Sequence, residues 1–354
     1  MEMGTTTATP IVTKGVGAAR AHTPRHFTHI ADVNRQELRD VLDLALAMKT
    51  SPAHCENALR GEAIACIFEK PSTRTRVSFA AAIARLGATP ISLSPQELQL
   101  GRGESIADTA RSLSGYVSAI VIRTFAQRTV DELARWATVP VVNALSNEHH
   151  PCQALADLLT IEEVFGDTVG RRLVFVGDGG DNVAHSLLEI GALAGLDVTI
   201  ACPSEYRPDE HVLAAARRLA ERSGAELTVV HDPVEAVADA DAVYADVWAS
   251  MGEEDEAAER RRIFAGFSVT SNLMSHAAPN AIVMHCLPAH RGEEIAADVI
   301  DGPHSVVFQQ AHNRMFAQQA VLLHLLRQSG GPVNGMANKS MSGAAGGVGA
   351  LSAP

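Results

Sequence analysis

Aromatic residues are scarce in this sequence, and long hydrophobic runs are absent. Phe, Trp and Tyr make up 4% of the 354 residues, whereas the hydrophobic class as a whole makes up 46%. The core must therefore be built mainly from Ala, Val, Leu and Ile. No apolar run approaches the roughly 18 residues that a membrane-spanning helix needs, so we expect no membrane partner.

Cysteine is too sparse and too scattered to form a framework. The five cysteines are Cys55, Cys66, Cys152, Cys202 and Cys286. Their number is odd and no C-x-x-C pair occurs, which argues against a set of disulfides and against a structural zinc site. A reducing, cytoplasmic location is the simplest interpretation.

Positive charge is in short supply. Lys and Arg number 29 against 41 Asp and Glu, so the formal net charge is -12. Such a chain repels nucleic acid and anionic membranes overall, and we expect no nucleic-acid partner. An anionic substrate would need a local group of basic side chains and backbone N–H groups.

Short apolar runs alternate with helical stretches along most of the chain. Strands are predicted over residues 63–68, 117–122, 139–144, 172–177, 198–202, 227–230, 242–246 and 281–286. Helices are predicted from Asn34, which can cap the first one, and over residues 73–86, 152–165, 183–194, 211–222 and 312–328. Alternation of this kind is typical of parallel sheets covered by helices on both faces. The predicted fold class is α/β, with two doubly wound parallel-sheet domains joined by helices.

The two ends of the chain lack this alternation. Residues 1–25 show no periodicity, and residues 330–354 are rich in Gly, Ser and Ala. We expect a disordered N-terminal extension and a flexible tail.

A group of hydroxyl and guanidinium side chains follows the first predicted strand. Ser72-Thr73-Arg74-Thr75-Arg76 stands where that strand gives way to a helix. Helix N-termini attract anions, and Arg can grip phosphate oxygens in a bidentate way. The run therefore predicts a phosphate site, with an ordinary helix cap and two surface arginines as the alternative. Arg123 ends another apolar strand, where it is either a second ligand contact or a solvated charge.

His150 and Gln153 open a later helix. They lie three residues apart, so they can share one face of its first turn. The imidazole N–H and the amide NH₂ could donate hydrogen bonds to a carbonyl oxygen on which negative charge develops. A capping cluster is the alternative, and a metal site is disfavoured because no partner ligands occur at standard spacing.

Acidic and amide groups follow the strands of the second half. The loop from Gly177 resembles a dinucleotide fingerprint, but Asn182 replaces its third glycine and two acids would repel a pyrophosphate. An amino-acid ligand suits this loop better than NAD, although an NAD-dependent oxidoreductase remains the alternative from another class. Asp246, at a strand end, could hold an ammonium group. Cys286 is a candidate functional thiol, although a buried cysteine usually only packs.

Taken together, these motifs resemble the transcarbamoylase family over about residues 26–328. The two carbamoyl-phosphate signatures shared by its aspartate and ornithine branches are similar to Ser72-Thr73-Arg74-Thr75-Arg76 and His150-Pro151-Cys152-Gln153. The ornithine branch is matched by Asp246-x-x-x-Ser250-Met251-Gly252 and His285-Cys286-Leu287-Pro288.

The resemblance implies a carbamoyl-phosphate domain over residues 26–165, an ornithine domain over 166–311, and a last helix over 312–329 that packs back on the first domain. It implies transfer of the carbamoyl group from carbamoyl phosphate to the δ-amine of L-ornithine, giving L-citrulline and phosphate. No metal or organic cofactor is implied. The family's trimers imply a homotrimer or a multiple of trimers, in which Gln99 reaches a neighbouring site.

The resemblance also assigns roles to single residues. The phosphate is bound by Ser72, Thr73, Arg74, Thr75 and Arg123. The carbamoyl oxygen is polarised by His150, Gln153, Arg314 and the backbone of Leu287. The α-amino and α-carboxylate groups of ornithine are held by Asn182, Asp246, Ser250 and Met251. Cys286 and Asp246 help the δ-amine lose its proton, which is needed because an alkylammonium is not a nucleophile.

Two positions depart from the family's pattern. Asp181 stands where an asparagine usually precedes Asn182, and His312 stands where a glutamate usually precedes Asn313-Arg314. The first could retune amino-acid preference, and the second could change how Arg314 is held. A transcarbamoylase for putrescine or acetylornithine is the nearest alternative. A non-catalytic paralogue is disfavoured because the charged site residues are present.

Overall fold

The computed structural model describes residues 24–94, 97–98, 103–249 and 256–330. The predicted disordered ends lie almost wholly outside these ranges. Gln99, Ser250 and Met251 also lie outside the described residues, so the roles predicted for them stay predictions.

The first sheet has four parallel strands. These are β1 (Ala63–Phe68), β2 (Thr89–Leu93), β3 (Ala119–Arg123) and β4 (Val141–Leu145). Their order is β2-β1-β3-β4, so the direction of winding reverses between β1 and β3. The helices of this half are α1 (Arg35–Thr50), α2 (Thr73–Arg85), α3 (Ile106–Ser114), α4 (Gln127–Trp136) and α5 (Pro151–Phe165).

The second sheet has five parallel strands in the order β7-β6-β5-β8-β9. They are β5 (Arg172–Val176), β6 (Asp197–Ala201), β7 (Leu227–Val230), β8 (Ala242–Ala245) and β9 (Ile282–His285). Its helices are α6 (Asn182–Ala194), α7 (Glu210–Ser223), α8 (Pro233–Val237), α9 (Ala257–Ile263), α10 (Ser271–Met274), α11 (Ala297–Ile300) and α12 (Val307–Gln328). Winding reverses between β5 and β8. The predicted α/β class with two parallel sheets is confirmed.

Both faces of each sheet are covered by apolar side chains. In β1, Cys66 points into a large cluster shared with α1, α5, α6 and α12, whereas its neighbour Ile67 belongs to a separate cluster on the outer face. In β5, Phe175 joins the shared cluster and Val174 joins a third one. Successive strand residues point to opposite faces, so strands buried on both sides read as continuous apolar runs. One core therefore links the two halves.

Several elements differ from their predicted bounds. The strand β2 was not predicted, because it is a half-exposed edge strand that contains Pro90 and lacks an apolar run. The helix α4 was also not predicted. Arg123 proves to be the last residue of β3, paired with Phe68 and Leu145. The last helix starts at Val307 rather than at residue 312, and Val306 at its start makes no side-chain cap that could have signalled it.

The packing of α5 and α12 bears on the site. Helix α12 packs against α1, α2 and α5, and α5 packs against α6. The C-terminal helix therefore carries its side chains to the edge of the first sheet. None of the described helices combines the length and apolar character that crossing a bilayer requires.

Candidate active site

A cleft of about 340 Å³ lies beyond the carboxyl ends of the strands where both sheets reverse their winding. A cleft of this size can enclose small metabolites. Eleven of the predicted site residues line it: Ser72, Thr73, Arg74, Thr75, Arg123, His150, Asn182, Asp246, Cys286, Leu287 and Arg314. The structure thus brings together side chains that are up to 242 positions apart in the sequence, from Ser72 to Arg314.

The start of α2 forms one end of this cleft. The Ser72 side chain caps the helix, because its Oγ accepts a hydrogen bond from the backbone N–H of Thr75 at 3.2 Å. Thr73 and Arg74 occupy the first turn, where backbone N–H groups lack partners within the helix. The helix carries no acidic residue in that turn. This end of the cleft is therefore suited to an anion.

Two buried arginines from distant elements meet at Thr75. Its Oγ1 accepts from Arg314 Nη2 at 2.6 Å and from Arg123 Nη1 at 3.5 Å. Burial, together with the nearby charge of Arg314, lowers the pKa of Arg123 to about 10. Both guanidinium groups remain charged near neutral pH. With Arg74 beside them, they form the local basic group that a chain of net negative charge needs for an anionic ligand.

His150 is buried next to these arginines. Burial and the charges of Arg314, Arg123 and Arg74 hold the pKa of His150 well below its ordinary value, so its ring is neutral. Its backbone N–H donates to Ser186 Oγ at 2.8 Å, which fixes the turn before α5. The buried ring Nδ1 has no hydrogen-bond partner among the described residues. A neutral imidazole can offer one N–H to a substrate oxygen.

Gln153 does not present its amide NH₂ as predicted. The side chain is completely buried behind the cleft, with Nε2 donating to Asp157 Oδ1 at 2.7 Å. Its Oε1 accepts from Arg314 Nη1 at 2.9 Å. The amide therefore holds a guanidinium that lines the cleft. The NH₂ group faces Asp157 in this structure, and its predicted donation to a substrate oxygen stays a prediction.

Asp246 and Cys286 form the opposite, acidic side of the cleft. Burial raises the pKa of Asp246 well above its usual range, and the carboxyl of Asp181 raises it further. Burial and the Asp246 carboxyl raise the pKa of the Cys286 thiol well above its ordinary value. The thiol is hydrogen-bonded to Asp246. Because burial deprives the Asp246 carboxylate of solvating water, this carboxylate is suited to receiving an ammonium group or a proton.

Asp181 is a cleft residue that the sequence reasoning left without a role. It caps α6, with Oδ1 accepting from the Val183 N–H at 2.6 Å, and it lines the cleft next to Asn182. The amide oxygen of Asn182 is buried without a hydrogen-bond partner among the described residues. The signal was present in the sequence, because Asp is a favoured helix cap at the end of the Gly-rich loop.

The turn after β9 is fixed by a buried histidine–glutamate pair. His285 Nδ1 accepts from the Leu287 N–H at 2.9 Å, so the proton is on Nε2, which faces Glu294 Oε1 at 3.2 Å. Asp246, His285 and Cys286 each place a potential metal-ligand atom within 4.8 Å of the others. Both ring nitrogens of His285 are already engaged, so this histidine is not available to a metal.

The second departure, His312, lies away from the hydrogen bonds that hold Arg314. His312 is exposed on α12 and lies in a neighbouring groove with Phe308. Arg314 is held instead by Gln153 and Thr75. The substitution at 312 therefore leaves the anchoring of this guanidinium intact.

Comparison with known protein families gives two matches that together cover most of the chain. Residues 25–163 match "Aspartate/ornithine carbamoyltransferase, carbamoyl-P binding domain". Residues 169–325 match "Aspartate/ornithine carbamoyltransferase, Asp/Orn binding domain".

Individual relatives are similar over nearly their whole length. An ornithine carbamoyltransferase of Acidothermus cellulolyticus is 53% identical over 307 residues, which is 87% of this chain and 98% of the relative. An anabolic ornithine carbamoyltransferase of Pyrococcus furiosus is 52% identical over 302 residues, 84% of this chain and 95% of the relative. The solved structure of ornithine carbamoyltransferase from Pyrococcus furiosus superposes with a TM-score of 0.82 at 51% identity, covering 84% and 96% of the two chains.

Proposed function

The chain belongs to the aspartate/ornithine carbamoyltransferase family, and from this premise we propose that it transfers the carbamoyl group of carbamoyl phosphate to the δ-amine of L-ornithine. The products are L-citrulline and phosphate. The observation that carries this proposal is the single cleft that has three arginines on one side and the Asp246–Cys286 pair on the other. Such a cleft complements a phosphate and an alkylammonium at the same time.

The phosphate group of the first substrate binds at the start of α2. Ser72, Thr73 and Thr75 offer hydroxyls and backbone N–H groups there. Arg74 and Arg123 supply positive charge, and burial strengthens each charge-assisted hydrogen bond because water is excluded. The guanidinium of Arg123 needs no proton transfer to act, since its pKa of about 10 keeps it charged at neutral pH.

The carbamoyl oxygen becomes negative as the amine attacks. We assign its stabilisation to the neutral ring of His150, the guanidinium of Arg314 and the backbone beside Leu287. Gln153 takes part through Arg314, which it holds with its Oε1. Donors that are fixed before the reaction stabilise a developing oxyanion without having to reorganise.

The ornithine side of the cleft must bind the amino acid and must also deprotonate its δ-amine, which is the nucleophile. Asn182 and Asp246 are assigned to the α-amino and α-carboxylate groups, together with Ser250 and Met251. An alkylammonium with a pKa of about 10 must lose a proton before it attacks. The raised pKa of Asp246 makes its carboxylate the better proton acceptor, whereas the Cys286 thiol, whose pKa is also raised, is already protonated. The neutral amine then attacks the carbonyl carbon, and phosphate leaves.

The proposal also covers the domains, the assembly and the cellular location of the chain. Residues 26–165 form the carbamoyl-phosphate domain, 166–311 the ornithine domain, and the helix assigned to 312–329 returns to the first. The chain assembles as a homotrimer or a multiple of trimers, with Gln99 entering a neighbouring site, which sedimentation equilibrium tests directly. We place the reaction in the cytoplasm. We also place it in arginine biosynthesis, and the anabolic relative from Pyrococcus furiosus supports this second assignment.

Product analysis with alternative amines tests the activity. The purified chain is given carbamoyl phosphate with L-ornithine, putrescine or acetylornithine, and both carbamoylated product and phosphate are measured. We expect citrulline and phosphate in equal amounts with ornithine. Phosphate release coupled to putrescine or acetylornithine, without citrulline, would overturn the substrate assignment.

Substitution of two arginines of α2 tests the phosphate-binding end of the cleft. Arg74 lines the cleft, whereas Arg76 is exposed and donates to Ser92 Oγ. Arg74→Ala should raise KM for carbamoyl phosphate about 10- to 100-fold, the size expected for a charge-assisted hydrogen bond. Arg76→Ala serves as the matched control and should change KM less than about threefold. Equal effects of the two substitutions would contradict the phosphate assignment.

A further inference from the structure

A buried carboxyl on α5 reaches the cleft from behind. Asp157 is 0% exposed and lies one helical turn beyond Gln153. Its Oδ1 accepts from Gln153 Nε2 at 2.7 Å and from Gln310 Nε2 at 2.7 Å, and its Oδ2 accepts from the Tyr244 hydroxyl at 3.2 Å. Donors from α5, α12 and β8 therefore converge on a group that the proposed mechanism does not use.

The carboxyl decides which way two amides face. Because a carboxylate oxygen only accepts hydrogen bonds, Gln153 and Gln310 must both turn their NH₂ groups towards it. Their oxygens then face outward, where Gln153 Oε1 accepts from Arg314 Nη1 and Gln310 Oε1 accepts from the His285 N–H, both at 2.9 Å. A flipped Gln153 would set an NH₂ group against a guanidinium, and neither group can accept a hydrogen bond.

We infer that Asp157 is a positioning residue that fixes the Arg314 guanidinium through Gln153. The chain of contacts is carboxyl, amide and guanidinium, with only the last lining the cleft. The second amide, Gln310, ties the same carboxyl to the end of β9, next to Cys286. This second path ends on a backbone N–H and does not reach Arg314, so only Gln153 transmits the position of Asp157 to the guanidinium.

The positioning of Gln153 and Arg314 does not depend on the charge of Asp157. Burial raises the pKa of Asp157 to about 7, so its neutral form is populated at neutral pH. A proton on Oδ2 faces the Tyr244 hydroxyl, which can turn to accept it, and Oδ1 remains an acceptor for both amides. An asparagine has the same shape and can also keep an acceptor oxygen at this position. Asp157→Asn is therefore the conservative variant, and Asp157→Ala is the one that removes the acceptor.

A double-mutant cycle separates positioning from a general structural role. We expect Asp157→Ala to lower kcat/KM for carbamoyl phosphate about 10- to 100-fold, the range for one misplaced buried hydrogen-bonding group. Asp157→Asn should stay within about threefold of wild type. In a Gln153→Ala background, Asp157→Ala should add less than about threefold, because the amide that transmits its effect is already gone. Losses that multiply in the double variant would overturn the inference.

A matched control lies on the same helix. Thr160 is also fully buried, and its hydroxyl donates to the backbone carbonyl of Ala156 and accepts from Asn313 Nδ2, with no contact to Gln153. Thr160→Val should change kcat/KM for carbamoyl phosphate less than about threefold. An effect as large as that of Asp157→Ala would show a general sensitivity of α5 to buried polar substitutions and would overturn the inference.

A second pair of variants keeps the test decisive should Asp157→Ala fail to fold. Gln153→Glu sets two carboxyls at hydrogen-bond distance and should lower kcat/KM at least about 100-fold. Adding Asp157→Asn places an NH₂ group opposite the new carboxylate, while Gln310 Nε2 keeps its hydrogen bond to the Tyr244 hydroxyl at 3.0 Å. This double variant should recover at least about tenfold. Absence of any recovery would overturn the inference.

The inference rests on the proposed function, because kcat/KM is read from citrulline formation. The two can fail separately. If the wild type forms no citrulline, the proposed function fails before any variant is measured. If the wild type is active and the cycle is multiplicative, only the role of Asp157 fails.

Discussion

At the scale of single residues, the Asp246–Cys286 pair sets the charge that the cleft offers to an amine. Burial and Asp181 raise the pKa of Asp246, while the hydrogen bond from Cys286 opposes that rise. The thiol itself stays protonated, since burial and Asp246 raise its pKa. Cys286 is therefore a hydrogen-bond donor that favours the ionised form of the carboxyl, which is the form able to bind an ammonium group.

Two substitutions of Cys286 test this donor role. Cys286→Ala removes the hydrogen bond, so the pKa of Asp246 should rise further and the acid limb of kcat/KM for ornithine should move to higher pH. Cys286→Ser retains a donor and should leave that limb near its wild-type position. The measurement is the pH profile of citrulline formation at low ornithine concentration. An acid limb that stays in place, or moves to lower pH, in the alanine variant would contradict the argument.

Most residues of the site could be predicted from the sequence because they follow strands. Arg74, Asn182, Asp246 and Cys286 lie one to six residues after the end of an apolar strand, and parallel strands end at a common edge. The amide orientation of Gln153 could not be predicted in this way. It depends on Asp157 and on Arg314, which lies 161 positions away, and no local pattern encodes that meeting.

At the scale of elements, the turn after β9 depends on a residue outside the predicted motif. Glu294 is completely buried, and it accepts hydrogen bonds from His285 Nε2 and from the backbone N–H of His290. Burial raises its pKa, but the hydrogen bond from His285 and its other contacts outweigh burial and bring the pKa below its ordinary value. The ionised carboxylate thus fixes the ring of His285, whose other nitrogen holds the Leu287 N–H.

Removal of this carboxylate should loosen the turn. Glu294→Ala leaves the Nε2–H of His285 buried without an acceptor, which should lower the free energy of unfolding by about 1.5–3 kcal/mol. It should also lower kcat/KM for carbamoyl phosphate, because Leu287 loses its support. Glu293→Ala is the matched control, since Glu293 is half-exposed and pairs with Arg261. Urea denaturation measures both variants, and equal stability of the two would count against this account of the turn.

The strands and helices differ in how clearly the sequence predicts them. Central strands such as β1 and β5 are buried on both faces and read as apolar runs. The edge strand β2 carries Pro90 and is half-exposed, so its pairing with β1 is set by the sheet rather than by its own composition. The start of α12 lacks a side-chain cap, so no local pattern in the sequence marks it. The position of this helix is set by its packing against α2 and α5.

At the scale of the whole molecule, the two halves share one apolar core and one buried ion pair. His149 precedes α5, and its Nδ1 lies 3.4 Å from Oε2 of Glu189 on α6. Both side chains are buried, and the ring of His149 lies beside that of His185. Burial alone would lower the pKa of His149, but the contact with Glu189, together with the smaller effects of the Glu148 and Asp131 charges, outweighs burial and raises it. This pair joins the end of the first sheet to the first helix of the second.

The pair should make stability depend on pH in a direction that can be measured. Because the folded pKa of His149 is raised, its contribution is fully present below the unfolded value of about 6.5 and is lost as pH rises through the folded pKa. Glu189→Gln should therefore lower the free energy of unfolding more at about pH 5.5 than at about pH 8.5. Burial lowers the pKa of His185 and Glu189 partly opposes this, so loss of the Glu189 charge disfavours the protonated ring of His185 at low pH as well, in the same direction. Glu148→Gln, at a half-exposed neighbouring site, should show a smaller pH dependence. A cost of Glu189→Gln that is constant, or that grows with pH, would mean that the charged pair does not join the halves.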